Sequence, residues 1–238
     1  MCCLRFCSTA LSLALQWWTN LVDSVLRKPS SRLSKSVVAI SALTIAVLVT
    51  GFVLWPKSPT NLAQEDAQAR AELLQQWNAG EIAVLIRHAE RCDRSSNPCL
   101  GPADGITRVG SEAAAVVGRG LAHLGLSQTD ILTSPVTRTA QTAHSMFNSD
   151  PRTQEWLVTC GTPLRNDVVA HKVAHRNLVL VTHSGCIADF EQQTGLKHAA
   201  KDAEYGSSLF VHIDGNGQLQ VLGIVNAEDW NTLQQEKD

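Results

Sequence analysis

Two short runs, Ile82–Ile86 (IAVLI) and Leu178–Thr182 (LVLVT), are apolar almost without interruption. A strand of that kind must be covered on both faces, which points to a largely parallel sheet held between helices. The intervening sequence agrees. Thr107 is placed to cap a helix running to about Leu124 and stopped by Gly125. A short strand is expected at Asp130–Thr133, then a helix over Pro135–Phe147 with proline in its first turn. Glu155–Thr159 reads as a further strand, Leu164–His175 as a helix, and Cys186 to Gln193 as another. Ser208–Ile213 and Gln218–Val225 flank Asp214-Gly-Asn-Gly217 as a hairpin. The expected fold is a three-layer α/β/α domain with a mostly parallel central sheet, spanning residues 81–238.

Upstream the chain has a different character. Val37–Trp55 holds no charge over 19 residues, and at about 1.5 Å per residue it reaches roughly 28 Å, close to a bilayer's hydrocarbon core. Arg5, Arg27, Lys28, Arg32 and Lys35 precede it, whereas Lys57, Glu65 and Asp66 follow. That asymmetry places residues 1–36 in the cytoplasm, makes 37–55 a transmembrane signal anchor, and puts the rest of the chain outside. A cleaved signal peptide is the competing reading, although the run is long for one and no A-x-A pattern follows. Leu11–Leu26, interrupted by Gln16, Asn20 and Asp23, suits the membrane surface, with Trp17 and Trp18 at the interface. Lys57–Asn61 reads as a linker and Leu62–Trp77 as a lead-in helix, so that 56–80 connects anchor and domain.

The 238 residues carry a formal charge of -2, which lacks the basic footprint of a nucleic-acid-binding protein. The seven cysteines form two groups. Cys2, Cys3 and Cys7 sit in the cytoplasmic tail, as plain thiols or acylation sites. Cys92, Cys99, Cys160 and Cys186 lie beyond the anchor, where two disulfides are permitted in any of three pairings; Cys92–Cys99 is a plausible first pair.

The chemistry gathers at strand ends, as expected of such a sheet. Ile86 leads into Arg87-His88, Thr182 leads into His183, and the strand Asp130–Thr133 leads into a helix carrying Arg138. Two guanidinium forks with imidazole donors suit a phosphate dianion. No acidic cluster accompanies them, so neither a metal site nor another cofactor is expected. His171 and His175, four residues apart, lack a third ligand and read as a solvated helix face.

Four ordered segments carry a resemblance. Arg87-His88-Ala89-Glu90, GITRVGSEAA, TSPVTRTAQTA and LVLVTHSG are similar to the signature of the histidine phosphatase (phosphoglycerate mutase-like) superfamily, over roughly Ile82 to Val225. The extended form RHAERCDRS-x-N-x-CL followed by GIT resembles the lipopolysaccharide core heptose(II)-phosphate phosphatase group of Gram-negative bacteria. Cys160-Gly161 and Cys186 fit that group too. The resemblance implies a periplasmic catalytic domain on an inner-membrane anchor, acting on phosphorylated lipopolysaccharide or another phosphomonoester.

It further implies that His88 attacks phosphorus to form a phosphohistidine, while Arg87, Arg138 and His183 bind the phosphate and stabilise its charge. Relatives take a proton donor from the segment between the second arginine and the second histidine. Here only 44 residues separate Arg138 from His183, which leaves little room for a cap and implies an open pocket. Asp167 is the leading candidate donor and Glu155 the next. Glu90 is expected to support the loop, and Glu204 is a further carboxylate. Two alternatives stand beside this reading. One is a phosphatase for another substrate, such as protein phosphohistidine. The other is a non-catalytic phosphate-binding envelope protein.

Overall fold

The computed structural model describes residues 32–53, 59–64, 67–161, 163–195 and 203–235. Leu11–Leu26 and the three N-terminal cysteines lie outside them. The chain divides into two compact units, Met1–Trp55 and Pro56–Asp238.

The first unit contains helix α1, Arg32–Val53. Its apolar side chains from Val37 to Val49 are exposed, and Thr44 and Thr50 donate back to Ile40 O and Ala46 O one turn earlier. Among the described residues no helix is long and apolar enough to cross a membrane. The end of the charge-free run, Leu54 and Trp55, lies outside the described residues.

In the second unit the elements follow in the order α2 (Ala67–Asn78), β1 (Ile82–Arg87), α3 (Arg108–Leu124), β2 (Thr129–Thr133), α4 (Thr137–Phe147), β3 (Arg152–Thr153), α5 (Trp156–Thr159), α6 (Leu164–His171), β4 (Asn177–Thr182), α7 (Ser184–Gln193), β5 (Ser208–Ile213), β6 (Leu219–Val225) and α8 (Trp230–Gln235). The six strands form one sheet in the order β3-β2-β4-β1-β5-β6. β1, β2, β3 and β4 are parallel; β5 runs antiparallel beside β1, and β6 pairs antiparallel with β5 to complete the expected hairpin. Because side chains alternate across a strand, the continuous apolar runs feed two cores. Val84, Ile86, Val179 and Val181 pack with Ala114, Val117 and Leu121 of α3 on one face. Ala83, Leu85, Leu178 and Leu180 pack with Leu157, Leu164, Ile187 and Phe190 on the other. The three-layer arrangement is the one expected.

Three local expectations are corrected. Leu62–Trp77 is helical only from Ala67. Leu62 N instead donates to Ile224 O at 2.9 Å and Thr60 O accepts from Ile224 N at 2.8 Å, so this segment lies along the edge strand β6. Glu155–Thr159 is not a strand: the sheet ends at Thr153, and Trp156–Thr159 forms a helical turn. There Leu157 enters the core, its carbonyl accepts from Thr182 Oγ1 at 2.9 Å, and Cys160 bridges to Cys186. The helix expected to His175 stops at His171, and His175 takes a left-handed conformation with φ 58°. The two histidines therefore share no helix face.

Candidate active site

Pairing of β1 with β4 sets Arg87 opposite Thr182, and pairing of β2 with β4 sets Thr133 opposite Val181. Three parallel strands thus finish side by side, and the residues that follow them converge. His88 N donates to Thr182 O at 2.9 Å and Ser134 N donates to Val181 O at 3.0 Å, which fixes the start of each loop to its neighbour.

His88 is 4% exposed. Its Nδ1 lies 2.8 Å from Ala89 O, and a carbonyl only accepts, so Nδ1 carries the proton and Nε2 keeps its lone pair. The His88 and His183 rings approach edge-on with centroids 5.4 Å apart. Arg138 Nη2 donates to His183 Nδ1 at 3.3 Å. His183 Nε2–H then donates to Ser134 Oγ at 2.9 Å, because the other ring nitrogen is already an acceptor. Burial lowers the pKa of His88 to about 3, aided by the charges of Arg138 and Arg87. Burial and the Arg138 charge lower that of His183 to about 4. Both rings are neutral at pH 7, as a nucleophile requires.

Arg87 and Arg138 have their pKa values lowered by burial. Among the described residues each keeps a buried Nε with no hydrogen-bond partner. Buried donors left without an acceptor are rare in folded proteins. Arg91 and Arg94 add positive charge around the pair, against Asp93, Asp104 and Glu204. The surroundings therefore favour an anion.

The chain is 30% identical to the lipopolysaccharide core heptose(II)-phosphate phosphatase of Salmonella paratyphi B over 186 residues, covering 76% of this chain and 88% of that protein. It belongs to that family. The Salmonella typhimurium phosphatase of the same name matches at the same identity and coverage. Among solved structures, the protein histidine phosphatase SixA complexed with tungstate aligns with a TM-score of 0.51 and 14% identity, over 62% of this chain and 98% of that one. At that identity the likeness shows a common fold. No protein-family model matches the chain. This member of the heptose(II)-phosphate phosphatase family is a phosphoric monoester hydrolase.

The family member's carboxylates are placed very differently from one another. Glu90 Oε2 accepts from Thr107 Oγ1 at 2.6 Å and Asn97 Nδ2 at 3.0 Å, and these bonds lower its pKa. Thr107 Oγ1 also accepts from Gly110 N at 2.9 Å as the N-cap of α3. Glu90 thereby fastens the loop after His88 to a helix start. Asp167 lies in the first turn of α6, and its side chain makes no hydrogen bond or ion pair with Arg87, His88, Arg138 or His183. Glu155 is exposed just before α5. Glu204 is exposed, and its charge reaches Arg87.

Sequence reasoning did not single out Ser134, Thr142 or Tyr205. Thr142 Oγ1 accepts from Ala89 N at 3.0 Å and donates to Arg138 O at 2.6 Å, linking the two arginine motifs. The disulfides are Cys92–Cys99 and Cys160–Cys186. The first closes the loop that Glu90 anchors, and the second ties the chain after α5 to the helix that His183 caps.

Proposed function

We propose that the protein is a membrane-anchored periplasmic phosphatase that hydrolyses a heptose phosphate of the lipopolysaccharide core through a phosphohistidine on His88. The observation that carries the chemistry is a buried, neutral His88 whose Nε2 keeps its lone pair within the field of the Arg87 and Arg138 charges. The substrate class is supported by the name of the Salmonella relatives, matched over 88% of their length.

In this reading His88 Nε2 attacks phosphorus, the bond to the sugar oxygen breaks, and water then cleaves the phosphorus–nitrogen bond. One difficult displacement becomes two easier ones. Arg87, Arg138 and His183 hold the transferring oxygens by positioning and electrostatics. Anchoring is supported by the charge-free run Val37–Trp55 and the basic residues ahead of it, of which α1 describes the part up to Val53. Periplasmic placement is supported by two disulfides, bonds that an oxidising compartment sustains.

Phosphate release from heptose-phosphorylated lipopolysaccharide by the full chain in detergent, alongside His88→Ala, tests this reading. Release by the parent and a loss of at least about a thousandfold in the variant are expected, since the covalent route is gone. Hydrolysis of an aryl phosphate without release from lipopolysaccharide would reassign the substrate. Phosphate binding with no turnover of either would leave a binding protein.

A further inference from the structure

Departure of the sugar alkoxide needs a proton, and none of the four carboxylates makes a hydrogen bond or ion pair with the reacting histidine. Glu90 is committed as an acceptor to Thr107 and Asn97. Asp167 makes no hydrogen bond or ion pair with the four site side chains, and Glu155 and Glu204 are exposed. Tyr205 is different. It is the chain's single tyrosine and half-buried. Its ring centroid lies 5.8 Å from that of His88, and the Arg87 guanidinium carbon lies 4.0 Å from the ring centroid.

The ring is held there by its own loop. Arg87 Nη1 donates to Ala203 O at 2.6 Å. Gly206 N donates to Arg87 O at 3.1 Å, and Arg87 N donates to Ser207 O at 3.0 Å. Residues 203–207 are thus clasped to the phosphate-gripping arginine at three points, with Tyr205 in the middle. The charges of Arg87 and Arg91 both interact with the phenol. A phenol is a donor at neutral pH where a carboxylate is only an acceptor.

We infer that Tyr205 donates the proton to the leaving oxygen, an inference that rests on the phosphatase reading above. As His88 Nε2 bonds to phosphorus and the phosphorus–oxygen bond breaks, the Tyr205 hydroxyl proton passes to the sugar oxygen. The phenolate is stabilised by the guanidinium charges of Arg87 and Arg91. The attacking water then returns a proton to that phenolate while its oxygen bonds to phosphorus, and the phosphorus–nitrogen electrons go back to Nε2.

The test compares leaving groups in the full chain carrying Tyr205→Phe, which keeps the ring over Arg87 and removes only the hydroxyl. Glycerol phosphate leaves as an alkoxide that needs a proton; nitrophenyl phosphate leaves as a stable phenolate that does not. The expected result is a fall in kcat of about a hundredfold on glycerol phosphate and less than about threefold on nitrophenyl phosphate, the size of a lost general acid. Unchanged KM on both and an unchanged melting temperature accompany it. Equal losses on the two substrates would overturn the inference and leave Tyr205 a support for Arg87. No loss on glycerol phosphate would overturn it as well. A parent chain inactive on both would instead overturn the phosphatase reading beneath it.

Discussion

At the scale of single residues, the two histidines carry a pH signature. His88 and His183 titrate at about 3 and about 4 in the folded chain because both are buried beside Arg138, against about 6.5 in an unfolded one. Nitrogen-15 NMR of the imidazoles is expected to find both neutral at pH 5; protonation near 6.5 would show that burial does not hold them. Between the two sets of values the unfolded chain binds more protons, so stability rises with pH there. It is complete above about 6.5 and falls as pH drops toward 4, and denaturant unfolding at pH 7 and pH 5 measures the difference. Arg87, His88, Arg138 and His183 were legible because each sits in a short motif at a strand end or helix start. Ser134 lay inside such a motif, yet its bond to His183 exists only through the pairing of β2 with β4. Tyr205 had no local signal at all. It reaches His88 because β5 returns antiparallel beside β1, a relation between residues more than a hundred apart.

At the scale of elements, most of the fold was legible from apolar continuity and caps, since these depend on neighbours in the chain. Thr107 and Gly125 bound α3 as expected. The misread strand at Glu155–Thr159 shows the limit: Val158 and Thr159 fit a strand, yet Leu157 is buried in the core and its carbonyl accepts from Thr182 Oγ1, contacts that lie outside the segment. A second feature of α3 was equally hidden. A Cβ at Gly118 would overlap the backbone carbonyl of Met146 at the end of α4, so the two helices cross at a point where only glycine fits. Gly118→Ala is expected to destabilise the domain by roughly 2 kcal/mol, the usual cost of overpacking. Thermal unfolding measures it, and an unchanged melting temperature would show that the crossing can open freely. Because α4 carries both Arg138 and Thr142, the same variant is expected to weaken phosphate binding.

At the scale of the whole molecule, topology is the claim to test. Protease added to spheroplasts is expected to digest the catalytic domain, and digestion only after lysis would place that domain in the cytoplasm. The open sheet itself has two edges of unlike kind. At one end β3 is just two residues long; at the other, β6 is longer and is paired over Ile224 by Thr60 and Leu62. Unpaired edges are templates for joining strands of other chains. A truncation beginning at Ile82 would keep every motif of the phosphatase, yet it would strip that cover from β6 together with Leu73 and Trp77 of α2, which are buried in the core, and the bared edge would favour assembly with other copies. The smallest useful fragment thus reaches back to Thr60, 27 residues ahead of Arg87.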